Sequence, residues 1–444
     1  AIYNPNWTMR TSLPPEIMSE IFVLCGSESE GCLPRPVAQV SRRWRIIALS
    51  TPRMWNHLYL IWGLRRSSKG PTASSKLRNA SLHALLDLQI ERTARAPLSV
   101  TFGDMSDDVD VLGKLLQLSE RWERCDIRLQ IEQQHLLVEG GDWRFPRLRS
   151  MKLNHLVAVD TLGLGPLGTA LPALERVIIS YWVHPRLNLI GWGPLEMLTL
   201  CWCHTVDIIA ALARCRKTRK VEIMHCLSPS QLPLPVSPSG IELELEAVTF
   251  VDHTASIAHD IFRTFDTPRL RSVTLKDFVV NMHLVRPIFA HLPPSLTHLH
   301  LCDIELPEPR LLALFRASSP QLPNVTELEL TWSWDVHSDL FMNCMTLLPG
   351  TSGRANIFPR LRTLNITGGL SCREDALYLM LRSRVGVLRR AELFYAGRAF
   401  FFGSALDGLR AQGMEIDMRL GGPRKYDHVR KFDYLYSPDG DDVV

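Results

Sequence analysis

Ten times along the chain an apolar residue is followed three and five positions later by two more, with polar residues between. The copies are Leu148/Met151/Leu153, Leu174/Val177/Ile179, Leu195/Leu198/Leu200, a weaker Thr218/Val221/Ile223, and Leu245/Val248/Phe250. Leu270/Val273/Leu275, Leu296/Leu299/Leu301, Val325/Leu328/Leu330, Leu361/Leu364/Ile366 and Leu388/Ala391/Leu393 continue the series. The last two residues of each copy are two apart, which is the period of a β-strand, so both point to one face. Between the copies, 206–215, 256–265, 310–317 and 374–382 carry helical periodicity. The pattern therefore predicts short parallel strands sharing one apolar column, with helices covering the outer side. Strand-like pieces at 58–60, 98–102 and 125–129, and an amphipathic helix over 77–95 with apolar Leu82, Leu85, Leu86 and Ile90, predict irregular earlier repeats.

From Leu148 to Leu388 the nine intervals average about 27 residues, within the ~20–29 of leucine-rich repeats. Three copies open with the same phrase, as in Phe145-Pro146-Arg147-Leu148-Arg149, and a proline is tolerated where a strand begins. The predicted fold class is an α/β solenoid: an irregular leucine-rich-repeat horseshoe with a parallel sheet on its concave face. The closing turn after each strand is degenerate, with Cys203 and Cys226 and the apolar stand-ins Phe278 and Ile304. Longer loops are expected at 228–240 and 351–356, and an excursion at 63–75. Residues just before, between and just after the inward pair face the hollow. Among these, Arg176, Met197, Thr199, Met224, His298, His300, Glu327, Glu329 and Phe394 are the candidate contacts for a protein target. Trp332 and Trp334 stand just past a strand, as rim contacts or packed beneath a loop.

The amino-terminal pattern differs. Pro15 suits a first helical position and Glu16 the positive end of a helix dipole. Ile17, Ile21, Leu24 and Cys25 recur at helical spacing, with Phe22 widening the stripe. After the polar 26–36 loop, Val37, Val40, Trp44, Ile47 and Ala48 predict a second apolar helix, which Thr51-Pro52 stops. A unit this short cannot bury both stripes by itself, so part of the surface awaits a partner.

In order, the blocks Leu13-Pro14-Pro15-Glu16-Ile17, Ile21-Phe22, Val40 with Arg43-Trp44-Arg45, and Pro52-Arg53-Met54-Trp55 resemble an F-box. The form is the one common in basidiomycete fungal proteins, and the resemblance covers about residues 12–57. It departs from the family pattern in the polar 26–36 loop and in Met54, where a Leu is usual. The resemblance implies a three-helix domain that docks on the Skp adaptor of a cullin–RING ubiquitin ligase. Adaptor-facing positions carry over onto Leu13, Pro14, Ile17, Ile21, Phe22, Val40 and Trp44. The expected organisation is an F-box at 11–57, a connecting region at 58–147, a target-binding repeat domain at 148–420 and a polar tail at 421–444. On this reading the chain is a substrate receptor, monomeric apart from the ligase complex. The alternative is a repeat scaffold that organises a complex without degradation.

Composition narrows the field. The chain has 444 residues, 46% hydrophobic and 22% charged, with a formal charge of +4. That balance fits a globular protein and gives no argument for nucleic acid or an anionic membrane. No apolar run reaches membrane-spanning length and no signal-peptide pattern opens the sequence. The 10 cysteines are scattered, as reduced thiols of a cytoplasmic or nuclear protein would be. Cys201, Cys203, His204, His225 and Cys226, and the run His298-x-His300-x-Cys302, superficially resemble zinc ligands. In the repeat frame Cys203 and Cys226 fall at equivalent turns, and the histidine run lacks a closed four-ligand set. Asp107-Asp108 and Asp441-Asp442 read as solvated charge. No nucleophile elbow, phosphate loop or dinucleotide fingerprint is present, so no enzyme activity, metal or cofactor is expected.

Overall fold

The computed structural model describes residues 13–27, 35–61, 73–103, 109–128, 143–154, 171–182, 195–226, 240–252, 255–277, 282–303, 308–319, 322–331, 339–348, 357–370, 372–395 and 403–420. Trp332, Trp334, Phe278, Ile304, Cys32, Asp107-Asp108, most of the 63–75 excursion, nearly all of the 228–240 loop, the 351–356 loop and the 421–444 tail lie outside them. The chain forms two compact units, Ala1–Leu195 and Glu196–Val444.

The first unit opens with helices α1 (Pro15–Ser27), α2 (Arg35–Val40) and α3 (Arg42–Leu49), then a 3-10 turn at Pro52–Met54. Five parallel strands follow: β1 (His57–Ile61), β2 (Leu98–Gly103), β3 (Trp122–Arg128), β4 (Ser150–Asn154) and β5 (Arg176–Trp182). Helices α4 (Ala73–Arg92) and α5 (Val109–Leu116) connect the first three. The register joins Leu58, Val100, Cys125, Met151 and Val177 in one row, and Leu60, Phe102, Ile127, Leu153 and Ile179 in the next. Every member of both rows is buried. The strands of 57–128 therefore pair into the same sheet as β4 and β5, and the compact boundary falls after Leu195, not before residue 148.

The second unit repeats the scheme. Its strands are β6 (Met197–Cys203), β7 (Lys220–Met224), a short β8 (Ile241–Glu242), β9 (Ala247–Val251), a short β10 (Phe265–Asp266), β11 (Ser272–Lys276), β12 (His298–Cys302), β13 (Glu327–Thr331), β14 (Thr363–Leu370), β15 (Arg390–Tyr395) and β16 (Glu415–Leu420). All but β8 and β10, which pair with each other, line up as parallel neighbours in sequence order. One row runs Leu198, Val221, Val248, Val273, Leu299, Leu328, Leu364, Ala391 and Ile416. Helices α6 (Thr205–Arg214), α7 (Ala255–Thr264), α8 (Met282–His291), α9 (Glu308–Ser318), α10 (Asp339–Met345), α11 (Glu374–Ser383) and α12 (Gly403–Ala411) lie between strands. Their apolar sides, such as Ile257, Ile261, Phe289, Phe315, Met342 and Leu377, are buried. The alternating in-between residues of the strands stay half-exposed. The arrangement is α/β and solenoid-like: a mostly parallel sheet with helices, behind an amino-terminal helical hook.

Candidate functional site

The hook is built around Phe22, Ile47 and Ala48, all buried, with Met18, Val37, Ala38, Trp44 and Met54 packed against them. The Phe22 and Trp44 rings lie 4.9 Å apart at 48°. Phe22 is 1% exposed, so it holds the hook together and is absent from its surface, contrary to the expectation that it faces a partner. Trp44 is half-buried against it. The second helix also differs from the expected continuous one. Ser41 sits in extended backbone (φ −156°, ψ 164°) and its hydroxyl accepts from the Trp44 N–H at 3.1 Å, so it caps α3 and splits the stretch in two. Pro14 accepts the Met18 N–H at 3.0 Å, which starts α1, and Arg43 donates to the Leu13 carbonyl at 2.9 Å. Trp55 fastens the hook to its unit: its indole donates to the Ala48 carbonyl at 2.9 Å, and the Arg92 guanidinium lies 4.4 Å over its ring.

What remains outside is apolar. Leu13, just before α1, and Ile17, Ile21 and Leu24, along it at i, i+4 and i+3 spacing, are 47%, 49%, 39% and 66% exposed. Val40, Ile46 and Leu49 are exposed on α2 and α3, and Pro14 is exposed beside Leu13. Leu24, Ile46 and Leu49 were not among the sequence-derived contacts. Their signal was available in the helical spacing, once Phe22 and Ile47 are assigned to the core side. Monomeric proteins seldom leave this much adjacent aliphatic surface uncovered. Residues 11–61 match the F-box-like family model. The match supports an F-box protein and spans the resemblance read from the sequence, with a slightly later end. No curated protein matches the chain.

In the second unit, the half-exposed face of the sheet gathers several of the other predicted residues. His298 and His300 on β12 stand opposite Glu327 and Glu329 on β13. His298 Nε2 lies 3.4 Å from Glu327 Oε2, and His300 Nε2 lies 3.3 Å from Glu327 Oε1. His300 Nδ1 is 3.6 Å from Glu329 Oε2. The two imidazoles meet edge to face, 6.4 Å between centroids. Met197 and Met224 on β6 and β7 and Phe394 on β15 are half-buried, while Arg176 is exposed on β5 in the first unit. Thr199 is 2% exposed, so it cannot offer a target its side chain; a partner-facing Thr199 is thus corrected. Its hydroxyl lies 3.4 Å from Glu222 Oε2.

The thiols and histidines of the zinc-like runs have other surroundings. Burial pushes the Cys226 thiol up to about 12 and the Cys302 thiol up to about 11, with nearby Glu329 adding to the latter. His225 Nδ1 lies 2.8 Å from Asp252 Oδ2, and its ring stacks on Trp202 at 4.8 Å. Among the described residues, no three His, Cys, Asp or Glu side chains come together as metal ligands would. No helix of the described residues is long and apolar enough to cross a membrane.

Sequence reasoning missed one recurring device. Trp202, His225, Asp252, Asp277 and Asp303 all have positive φ, between 48° and 55°, one at the end of each successive main strand. His225, Asp252, Asp277 and Asp303 each donate the backbone N–H to the last carbonyl of the following strand, at 2.7–3.2 Å. Aspartate tolerates the left-handed region better than most side chains. The signal was Asp two residues past the inward pair, in three consecutive repeats.

Proposed function

We propose that the chain is the substrate-recognition subunit of a Skp–cullin–F-box ubiquitin ligase. The hook takes the Skp adaptor, the leucine-rich-repeat-like domain holds a target protein, and other subunits carry out ubiquitin transfer. The observation that carries this reading is the exposed stripe Leu13/Ile17/Ile21/Leu24, inside a segment that matches an F-box-like family, on a hook whose own core is already closed by Phe22, Ile47 and Ala48. Leu13, Pro14, Ile17, Ile21 and Val40 are the adaptor contacts, extended by Leu24, Ile46 and Leu49. Phe22 and Trp44 act by holding α1 against α3. The receptor is not itself an enzyme; its contribution is effective concentration, bringing a target lysine close to the charged ubiquitin carrier. It works in the cytoplasm or nucleus, where that machinery resides, and needs no metal or cofactor.

A non-degradative scaffold is the alternative, and protein turnover separates the two. Cells lacking the chain should accumulate its target, with a half-life lengthened several-fold, and re-expression should restore turnover. A target whose half-life stays unchanged while its location shifts would favour the scaffold.

A further inference from the structure

Charge on the half-exposed face of the second unit's sheet is unevenly balanced. Glu392 pairs with Arg390 and Asp417 with Arg419, each within its own strand. Glu327 and Glu329, by contrast, have only His298 and His300 as ion-pair partners among the described residues. A neutral imidazole cannot cancel a carboxylate, so with both histidines uncharged β13 presents two uncompensated negative charges. Both glutamates are about one-third exposed, at 36% and 32% of the side chain, so water screens them only in part. The flanking strands add little. On this face β14 contributes Thr363, Asn365 and Thr367, and β11 contributes Ser272, Thr274 and one cation, Lys276, which stands opposite Cys302. His300 Nε2 is also shielded from solvent without an aligned hydrogen bond.

From this geometry we infer that the His298/His300/Glu327/Glu329 patch is the docking site for a cationic, extended segment of the target, with arginine or lysine at alternate positions. The inference rests on the repeat domain being the target-binding part. Glu327 and Glu329 are two residues apart on one strand face, so their carboxylates repeat at about 7 Å, the spacing of alternate side chains in an extended segment. Arginine suits the site best, because its planar fork can take both oxygens of one glutamate while its stem lies along an imidazole ring. A phosphorylated segment would meet the same two glutamates as repulsion.

The test is fluorescence anisotropy with the full chain and a labelled Gly-Ser-Arg-Gly-Arg-Ser-Gly peptide, beside versions with alanine or phosphoserine in place of both arginines. At about pH 7.5 and low salt, the arginine peptide should bind on the order of tenfold tighter than either control. The Glu327→Gln/Glu329→Gln variant should lose about that factor, the worth of one half-buried ion pair. Equal affinity for the arginine and alanine peptides, or a preference for phosphoserine, overturns the inference on the unmodified chain alone, whatever the variants' folding. Unchanged binding by a well-folded double glutamine variant also overturns it. Capture of the Skp adaptor, measured in parallel, reports on the receptor reading separately, since none of these residues lies in the hook.

Discussion

Arg384 carries a guanidinium into the interior of the second unit and satisfies it with backbone alone. It is fully buried and donates to the carbonyls of Met345 at 2.7 Å, Phe358 at 3.0 Å and Ile357 at 2.9 Å. Burial lowers its pKa to about 10, which still leaves it charged at neutral pH. One side chain thus pins the turn after α10 and the turn before β14 to the end of α11. Arg384→Leu keeps the volume but strands three acceptors. It should cost about 2–4 kcal/mol of the second unit's stability, seen as an earlier urea transition while Arg382→Leu, on the exposed side of α11, leaves it within about 0.5 kcal/mol. Such a residue was not legible in the sequence, where Arg384 follows Arg382 and looks like surface charge; only the folded turns reveal three carbonyls converging on it. The positive-φ row ending in Asp252, Asp277 and Asp303 was legible in principle, because the same residue type recurs at the same repeat position. Ser41 belongs between these cases: serine is a favoured cap, but the apolar spacing from Val37 to Ala48 reads straight through it.

At the scale of elements, the periodicities carried most of the fold. The helices predicted at 206–215, 256–265, 310–317 and 374–382 stand within two residues of α6, α7, α9 and α11, because each has apolar positions at helical spacing that a parallel sheet can bury. The hook was harder, for a physical reason. Both sides of α1 are apolar, so spacing alone cannot tell the stripe that closes the hook's own core from the one left for a partner. Packing decides it: Phe22 is buried with Ile47 and Ala48 against Trp44, while Ile17, Ile21 and Leu24 are exposed. The two stripes should respond oppositely to substitution. Phe22→Ala should destabilise the first unit by about 3–5 kcal/mol through the cavity it leaves. Leu24→Asp should change stability by no more than about 0.5 kcal/mol, as is usual for exposed positions. Thermal unfolding of the two variants checks this, and a Phe22→Ala as stable as the unmodified chain would contradict the assignment of the core.

For the whole molecule, one apolar unit repeated about every 27 residues produces a parallel sheet without any strand having to fold back on itself. Each repeat buries its inward pair only against its neighbours, which is why the rows from Leu58 to Val177 and from Leu198 to Ile416 stay continuous within their units despite degenerate turns. Repeats from Leu148 onward were easy to find; the target was not, since repeats diverge on the face they present. The hook supplies the molecule's most specific chemistry, an exposed aliphatic stripe on α1. Co-purification of the full chain with a recombinant Skp adaptor, beside an Ile17→Asp/Ile21→Asp/Leu24→Asp variant, is the decisive experiment. A stoichiometric complex is expected with the unmodified chain and its loss in the variant, with circular dichroism unchanged. No complex with the unmodified chain, or equal complex formation by the variant, would contradict the receptor reading.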